Sequence, residues 1–543
     1  MADQPLTLSP GTAFFLGQAL ADWLEARGAP PEAGGPTRKV ALGRDPRLSG
    51  PSMEAAMAAG LASRGLAVAT CGLATTPAMF LACVHPAHRF DAGVMITASH
   101  LPFNRQGFKF FTSDGGFEKA DIAALLAGAT AAHAAAAAAA ADPSLVVTSA
   151  TAPPPDGVAT LVSSALATPP GLVTPLDFMP VYAAHLRAII AAGIGVPEAD
   201  KPLAGVRVVV DAGNGAGGFL ATDVLAPLGA DTAGSQYLDP DGTFPNHIPN
   251  PEDATAMRAG VAMVRSSRAD LGIVLDTDVD RSAVVASSGE PVNGNRYIAL
   301  MADIVLKKYP GTVVVTDSVT SDGLGDYIRA RGGVHLRFKR GYRNVIGKGI
   351  EINGAGGGGG PRCELMMETS GHGAMAENAY LDDGTYSASQ IVIAVAKAKR
   401  AGGRTDVAAG PLADLVEPAD SVEFRLRLVD PDFQAAAARV LAAFHDWVAG
   451  GAAGPEWSLE PENCEGWRAR VDEAGAGGGR GWALLRGSLH DPLLVLNAES
   501  SLAHGTCAIV GQVLAFFESG AVPVGEVDID KLYDGASACT IRR

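Results

Sequence analysis

The segment that decides the fold is LGIVLDTDVDR, residues 271–281. It begins as an apolar run typical of a buried strand and ends in aspartates at alternate positions, Asp276, Asp278 and Asp280. Other β-branched runs that end in Asp, Gly or a small polar residue lie at 39–43, 92–97, 206–211 and 312–317. Most of these runs precede a stretch rich in Ala and Leu. The alternation predicts layered α/β domains with parallel or mixed sheets, in which ligands lie at the carboxyl ends of the strands.

Residues 276–281, here called the carboxylate loop, predict a cation site. Three carboxylates within five residues suit a hard ion such as Mg²⁺ or Ca²⁺, and like charges packed this closely are costly without one. An EF-hand fits badly, because its sixth and twelfth positions would be Arg281 and Ser287 instead of Gly and Glu. Arg281 could hold an anionic ligand or one of the aspartates. The alternative is a solvated acidic turn.

Length and charge limit the class of protein. At roughly 100–200 residues per domain, 543 residues suggest about three to five domains, with four the central estimate. The 42 Lys and Arg against 58 Asp and Glu give a net charge of −16, which excludes a general binder of nucleic acid or anionic membrane. No uninterrupted apolar run reaches about 18 residues, so no membrane-spanning helix is expected. An anionic small substrate stays compatible if a few basic groups are collected locally.

The cysteines and the first residues indicate the compartment. Six cysteines are scattered without a C-x-x-C pair, which predicts reduced thiols and neither a disulfide framework nor a zinc site. The first twenty residues lack the features of a secretory signal or a transit peptide. We therefore expect a soluble intracellular protein of the cytoplasm, or of the plastid stroma if a transit segment was trimmed.

The segment 93–109 contains a second candidate site, and its residues 97–105, TASHLPFNR, are here called the serine loop. Ser99 follows an apolar strand in a tight turn, where a serine can be a nucleophile or a phosphate carrier, and Lys109 could neutralise or deprotonate it. On local chemistry alone an ordinary Ser-His turn is the stronger interpretation. There is no G-x-S-x-G elbow, so acyl transfer has no support.

The two loops together resemble those of the α-D-phosphohexomutase family, which includes phosphoglucomutase, phosphomannomutase and phosphoglucosamine mutase. That family carries, in order and one per domain, a TASHNP phosphoserine loop, a DGDxDR magnesium loop, a GExSGH sugar loop and an RxSGTEP phosphate loop. The counterparts here are TASHLP at 97–102, DTDVDR at 276–281, METSGH at 367–372 and RGSLHDP at 486–492. Lesser matches lie at 43–50, 73–80 and 240–252.

The resemblance implies a four-domain α/β architecture, with three similar mixed α/β domains and a C-terminal α+β domain around a central cleft. Residues 1–175 would be the phosphoserine-loop domain with an Ala/Pro-rich insertion, and 176–305 the metal-binding domain. Residues 306–415 would carry the sugar-binding loop, and 416–543 the phosphate-binding loop.

It also implies a mutase that interconverts hexose 1-phosphate and hexose 6-phosphate of glucose, mannose or glucosamine. The phosphoryl group would pass through phosphorylated Ser99 and a bisphosphorylated sugar, which is both intermediate and activator. The cofactor would be Mg²⁺, and the only partner a small phosphosugar, with monomer and homodimer both open.

The resemblance assigns roles residue by residue. The metal would be held by phosphorylated Ser99 with Asp276, Asp278 and Asp280. The catalytic candidates are Ser99, His100, Lys109, Arg281 and His372, of which Lys109 and His372 would transfer protons. The substrate-binding candidates are Glu368, Ser370 and Gly371 for the sugar and Arg486, Ser488 and His490 for the distal phosphate.

The chain departs from the family pattern at several positions. Leu101 replaces an Asn, Thr277 replaces a Gly, and Leu489, His490 and Asp491 replace Gly, Thr and Glu. The family's N-terminal GTSGIRG segment has no counterpart. These departures motivate an alternative, a phosphosugar-binding or regulatory protein with impaired catalysis.

A further alternative is a dinucleotide-binding oxidoreductase. The run VRVVVDAGNGAGG at 206–218 contains Gly213, Gly215 and Gly218 in a G-x-G-x-x-G pattern. Asp231 follows at roughly the 20-residue spacing expected of an NAD-binding fingerprint.

Overall fold

The computed structural model describes residues 8–27, 38–140, 172–355, 360–473, 479–488, 491–523 and 525–541. The chain divides into two compact units, Met1–Ile304 with Ser370–Pro411, and Val305–Thr369 with Leu412–Arg543. The four domain ranges expected from the sequence stay predictions.

The first unit begins with a mixed six-stranded sheet covered by helices. Its helices are α1 (Pro10–Arg27), α2 (Gly50–Ala62), α3 (Thr76–Val84) and α4 (Lys119–Ala140). Its strands are β1 (Lys39–Arg44), β2 (Ala67–Leu73), β3 (Ala92–Ile96), β4 (Phe108–Thr112), β5 (Gly115–Gly116) and β6 (Val173–Pro175). The strand order is β5-β4-β3-β1-β2-β6, and β1 pairs in parallel with β2 and β3. Every residue of β3 is buried, so the serine loop leaves the sheet from its core.

A second sheet of the same unit carries the carboxylate loop. Helix α5 (Met179–Ile194) precedes the strands β7 (Val208–Asp211), β8 (Leu271–Leu275), β9 (Ser282–Ala286) and β10 (Pro291–Val292), with helices α6 (Ala254–Ser267) and α7 (Gly294–Lys308). The order is β10-β9-β8-β7, with β7 and β8 parallel and β8 and β9 antiparallel. The carboxylate loop is therefore the tight connection between two buried, adjacent strands.

The second unit contains a parallel α/β layer. Its elements are β11 (Val313–Asp317), α8 (Asp322–Ala330), β12 (Val334–Phe338), α9 (Tyr342–Ala355) and β13 (Cys363–Met367). Strand β11 pairs in parallel with β12 and β13. The chain then returns to the first unit through β14 (Gly373–Met375) and α10 (Gly384–Arg400).

The C-terminal part of the second unit is an antiparallel sheet with helices. Its elements are β15 (Asp420–Leu428), α11 (Phe433–Ala449), β16 (Trp457–Leu459), β17 (Trp467–Glu473), β18 (Gly479–Gly487), β19 (Leu493–Ser500), α12 (Thr506–Glu518), β20 (Val527–Asp528) and α13 (Asp530–Ile541). The order is β16-β17-β18-β19-β15-β20. The predicted class, layered α/β sheets followed by an α+β region, is confirmed.

The prediction of six reduced thiols is wrong at Cys507, which is in a disulfide. Cys71, Cys83, Cys363 and Cys464 are free thiols, and the side chain of Cys539 lies outside the described residues. Scattered cysteine spacing carries no signal for a bond made by a tertiary contact.

None of the described helices is long and apolar enough to cross a membrane.

Candidate active site

Ser99 lies in the loop that follows β3. Its backbone φ is 51°, in the left-handed region that residues with a Cβ rarely adopt. Its hydroxyl accepts a hydrogen bond from Arg281 Nη2 at 3.1 Å and donates one to Asp276 Oδ2 at 3.3 Å. Nδ1 of His100 lies 3.3 Å from the same hydroxyl. The serine loop and the carboxylate loop therefore meet at one hydroxyl group.

The carboxylates of Asp276, Asp278 and Asp280 are buried, with at most 1% of each residue exposed. One oxygen from each lies within 4.8 Å of the others. Within the described part of the chain, Asp278 Oδ1 and Asp280 Oδ1 have no hydrogen-bond partner. Buried, unpaired carboxylate oxygens are costly, and hard oxygen donors are what Mg²⁺ and Ca²⁺ prefer. The three residues therefore fit a divalent cation.

Charge crowding shifts the pKa values of two of these aspartates in opposite directions. Burial, reinforced by the charge of Asp280, raises the pKa of Asp276 to about 8. Burial would also raise the pKa of Asp280, but the Lys109 ammonium outweighs it and lowers that pKa. A divalent cation beside them would favour the ionised form of both carboxyls.

Arg281 is buried beside the carboxylates and ties the loop to its surroundings. Its Nε donates to Asp276 Oδ2 at 3.0 Å, and its backbone N–H donates to Asp276 Oδ1 at 3.2 Å. Nη1 donates to Asn250 Oδ1 at 3.2 Å and lies 3.5 Å from Glu252 Oε2. Burial would lower the pKa of Arg281, but the neighbouring aspartates raise it. The guanidinium is thus a fixed positive charge beside the Ser99 hydroxyl.

Two further titratable side chains contact the carboxylates. Lys109 of β4 donates to Asp278 Oδ2 at 2.8 Å and forms an ion pair with Asp280. His372 Nδ1 lies 2.7 Å from Asp382 Oδ2 and 3.9 Å from Asp280 Oδ2. Burial would lower the pKa of His372, but the carboxylates of Asp382 and Asp280 raise it to about 9. At neutral pH this site therefore has a protonated imidazole on one side of the aspartates.

His100 has the opposite character. Burial, with the positive charge of Arg281, lowers the pKa of His100 to about 4. The imidazole beside Ser99 is consequently neutral at physiological pH, and it can accept or donate a hydrogen bond without adding charge.

The predicted sugar loop divides between the two units. Ser370, Gly371 and His372 belong to the first unit, whereas Glu368 belongs to the second. Gly371 has a φ of 94°, and a Cβ there would lie 2.8 Å from the Ser282 carbonyl oxygen, so only glycine fits against β9. Glu368 is 4% exposed and accepts a hydrogen bond from the Gly341 N–H at 2.5 Å.

The predicted phosphate loop lies at the end of β18 in the second unit. Arg486 Nε is buried with no hydrogen-bond partner among the residues that the structure describes. Burial lowers the pKa of Arg486, and the neighbouring Glu465 carboxylate partly offsets that effect. The Ser488 N–H donates to the Leu493 carbonyl oxygen at 2.8 Å. His490 lies outside the described residues.

Sequence reasoning missed two residues that contact these groups. Thr76, at the start of α3, donates its N–H to the Asp278 carbonyl oxygen at 2.9 Å and its hydroxyl to the Asp278 carboxylate. Asp382 pairs with His372. A lesser family match at 73–80 contains Thr76, whereas Asp382 follows the sugar loop by ten residues with no motif of its own.

The glycines that suggested a dinucleotide fingerprint are packed against protein. A Cβ on Gly215 would lie 2.7 Å from the Thr277 carbonyl oxygen, and one on Gly218 would lie 2.2 Å from that of Leu238. The following element is a short π-helix, Leu220–Leu225, and not a long α-helix. Gly215 thus allows backbone to approach the carboxylate loop closely, and Gly218 allows a similar approach to Leu238. This geometry does not favour the oxidoreductase alternative.

Three family models match the chain in succession. They are described as alpha/beta/alpha domains I, II and III of phosphoglucomutase/phosphomannomutase, and they match residues 3–136, 181–289 and 293–407.

Individual proteins agree with these matches. A phosphomannomutase/phosphoglucomutase of Pseudomonas putida is 29% identical over 499 residues, covering 91% of this chain and 89% of the relative. A phosphoglucosamine mutase of Azorhizobium caulinodans is 31% identical over 369 residues, covering 67% and 71%. The crystal structure of a phosphoglucomutase/phosphomannomutase family protein from Burkholderia thailandensis superimposes with a TM-score of 0.70 at 24% identity, covering 96% of both chains.

Proposed function

Because the chain belongs to the phosphoglucomutase/phosphomannomutase family and is therefore a hexose phosphate mutase, we propose that it interconverts the 1-phosphate and the 6-phosphate of glucose, mannose or glucosamine. Ser99 carries the phosphoryl group, and a hexose bisphosphate is the intermediate and the activator. Within this proposal each of the four predicted domains contributes one loop.

The observation that carries the proposal is the Ser99 hydroxyl, which lies within hydrogen-bond distance of both Arg281 and Asp276. A phosphoryl group on this oxygen would be next to a fixed guanidinium and next to carboxylates with unpaired oxygens. Guanidinium groups bind phosphate oxygens well, and the carboxylates fit a divalent cation. A serine without these neighbours could be phosphorylated but would be poorly placed to transfer the group.

The residues that would hold Mg²⁺ are Asp276, Asp278 and Asp280, together with an oxygen of phosphorylated Ser99. When bound there, Mg²⁺ would withdraw electron density from the phosphoryl group and neutralise part of its charge. The unpaired Asp278 Oδ1 and Asp280 Oδ1 support this assignment.

The proposed reaction has two phosphoryl transfers. In the first, the free hydroxyl oxygen of the hexose phosphate forms a bond to phosphorus as the bond between phosphorus and Ser99 Oγ breaks. In this step a proton passes from the sugar hydroxyl to Ser99 Oγ, by way of Lys109 or His372. In the second, Ser99 Oγ forms a bond to the other phosphorus of the bisphosphate as the bond between that phosphorus and its sugar oxygen breaks. A proton then passes from Ser99 Oγ to the released sugar oxygen by the same groups. Arg281 stabilises the negative charge at Ser99 in both steps.

Lys109 and His372 are the proposed proton-transfer groups. Both contact the carboxylate cluster, and both are protonated in the arrangement described above, since Lys109 pairs with two aspartates and the pKa of His372 is raised to about 9. Each can therefore donate a proton to an oxygen that leaves phosphorus and then take up the proton of the attacking hydroxyl. His100, neutral at the same pH, is the proposed hydrogen-bond partner of Ser99.

The remaining candidates would bind the substrate. We assign Glu368, Ser370 and Gly371 to the sugar hydroxyls, and Arg486, Ser488 and His490 to the phosphate that is not being transferred. The buried, unpaired Nε of Arg486 supports its assignment to an anion.

Replacement of Lys109 by methionine should lower kcat by about 10²- to 10⁴-fold, because a positioned proton donor is removed. The affinity for Mg²⁺ should not fall, since the change removes a positive charge from beside two proposed ligands. A coupled mutase assay and isothermal titration with Mg²⁺ measure the two effects. The matched control is Lys119→Met at the exposed start of α4. A wild-type kcat in Lys109→Met would remove Lys109 from the mechanism.

The proposed function is tested by a coupled assay with glucose 1-phosphate, mannose 1-phosphate and glucosamine 1-phosphate, each with Mg²⁺ and with the corresponding bisphosphate. Turnover of at least one sugar is expected, and the ratio of kcat/KM values identifies the preferred one. Zero turnover of all three by Ser99-phosphorylated protein would contradict the proposal. Tight binding of the sugars in that case would indicate the regulatory alternative instead.

A further inference from the structure

Arg47, between β1 and α2, is buried completely, and all five of its side-chain N–H groups are directed at acceptors. Nε donates to Asp45 Oδ2 at 2.9 Å. The other four donate to backbone carbonyl oxygens of the serine loop, at distances of 2.6 to 3.2 Å. Those oxygens belong to Ser99, Leu101, Pro102 and Arg105. One side chain from the connection between β1 and α2 thus holds the serine loop at four of its backbone carbonyl oxygens.

A second connection joins the same network to Ser99. The Thr97 hydroxyl accepts the Ser99 N–H at 2.9 Å and donates to Asp45 Oδ2 at 2.8 Å. Ser99 is therefore held at its N–H through Thr97 and at its carbonyl oxygen by Arg47. These two contacts flank the residue whose φ of 51° is unfavourable for serine. The network therefore holds the backbone of Ser99 in its strained conformation.

Residues 242–244, from the connection between β7 and α6, pack against Arg47 and its neighbour Pro46. The guanidinium carbon lies 5.1 Å from the centre of the Phe244 ring. A Cβ on Gly242 would lie 2.2 Å from the Pro46 carbonyl oxygen, so this segment packs directly on the chain beside Arg47. The segments 43–50 and 240–252, both lesser family matches, thus meet around Arg47. No described hydrogen bond joins Arg47 to an aspartate of the carboxylate loop.

Only arginine can make this set of contacts. Its planar fork presents five donors in fixed directions, whereas lysine has three donors on a single nitrogen and methionine has none. Buried carbonyl oxygens that lose a charged donor must find another partner, and the loop must move for them to do so. A change at Arg47 would therefore act on the geometry of Ser99.

We propose that Arg47 is a positioning residue for phosphoryl transfer: it fixes the serine loop so that the Ser99 hydroxyl faces Arg281 and Asp276. The expected fall in kcat rests on the proposed function. The expected change in the serine loop rests on the hydrogen bonds alone. Arg47 acts through the loop backbone and is not itself a catalytic group.

The test compares Arg47→Lys with Arg44→Lys. Arg44 lies three residues earlier, at the end of β1, and pairs with Glu54 at 3.2 Å, so the control makes the same chemical change at a neighbouring ion pair. Arg47→Lys should lower kcat by about 10²-fold, the effect expected when a reacting atom is displaced by about 1 Å. KM for the hexose phosphate should change little, because the substrate-binding residues are untouched. Arg44→Lys should keep both constants.

Hydrogen exchange measured by mass spectrometry gives a readout that does not depend on activity. In Arg47→Lys, backbone amides of residues 97–107 should exchange faster, while those of β1, β2 and β3 keep wild-type protection. If the wild-type protein turns over no phosphosugar, the proposed function fails, and the exchange result still decides the role of Arg47 in the loop.

Three results would overturn the inference. Wild-type kcat in Arg47→Lys would show that loop position does not depend on the guanidinium. Unchanged exchange over 97–107 would show the same directly. Loss of protection across the whole first sheet, or failure to fold, would show that Arg47 supports the domain in general and not the loop. Arg47→Met, which removes the charge and all donors, should shift both readouts further in the expected direction.

Discussion

Ser99→Ala should abolish mutase turnover, with a loss of at least about 10⁴-fold in kcat, because no other group can accept the phosphoryl group at this position. The loss should be the same for every hexose phosphate, since the step is common to all of them. A coupled assay measures turnover, and mass spectrometry of the phosphopeptide that contains residue 99 measures the loss of the phosphoryl carrier.

The change should leave the fold intact. Ser99 is half-buried, and its hydroxyl hydrogen-bonds to Arg281 and Asp276. These two side chains also bind each other at 3.0 Å, so both keep a partner when the hydroxyl is removed. The melting temperature should therefore stay close to that of the wild type. Ser113→Ala, at an exposed serine in the turn between β4 and β5, is the matched control and should keep full activity. Substantial turnover by Ser99→Ala would exclude a phosphoserine mechanism.

The two loops that meet at the site were predictable because each is continuous in sequence. An apolar run followed by Asp276, Asp278 and Asp280 marks a strand end and a cation site without reference to any distant residue. The structure ends β8 at Leu275, directly before the first aspartate. For Ser99 after β3 the local pattern predicts only a turn, and the phosphoserine assignment depends on the family resemblance. Local patterning is sufficient when the chemistry and the strand that presents it are adjacent.

Contacts over long sequence separation could not be predicted in this way. Thr76 reaches Asp278 across 202 positions. At the sequence level a threonine before proline reads as a helix start, and Thr75 indeed caps α3 by accepting the Ala78 N–H. The contact of Thr76 with Asp278 depends on how the two sheets pack, and no local sequence pattern predicts that packing. Asp382 and Arg47 escaped prediction for the same reason.

The glycine run at 213–218 illustrates the opposite error. Glycines in a G-x-G-x-x-G pattern after a strand allow a phosphate to approach the backbone closely. They equally allow another backbone segment to approach it. In this protein a Cβ on residue Gly215 would lie 2.7 Å from the Thr277 carbonyl oxygen, which is too close for any side chain. A spacing pattern identifies close approach and not the group that approaches.

Asp278→Asn should separate metal binding from folding. Asp278 Oδ2 accepts from Thr76 and Lys109, and a carboxamide oxygen can accept from both, whereas the amide nitrogen in the place of Oδ1 cannot ligate a cation. With Mg²⁺ at about 100 times its Kd, the wild type should gain about 2.7 kcal/mol of stability, and the variant should gain little. Without Mg²⁺ the variant should be at least as stable as the wild type, because one of three crowded buried charges is gone.

The order of melting temperatures should therefore reverse when Mg²⁺ is added, which scanning fluorimetry with and without EDTA measures. Turnover should fall by about 10³-fold, since the cation's stabilisation of transition-state charge is worth several kcal/mol and each 1.4 kcal/mol is tenfold. Asp223→Asn, at an exposed aspartate of the same unit, should change neither property. If Asp278→Asn kept the wild-type response to Mg²⁺, the cation would bind elsewhere. The unpaired oxygens of the carboxylate loop would then need another partner. Among the described residues outside that loop, Lys109 and His372 are the only cationic side chains that contact Asp278 or Asp280.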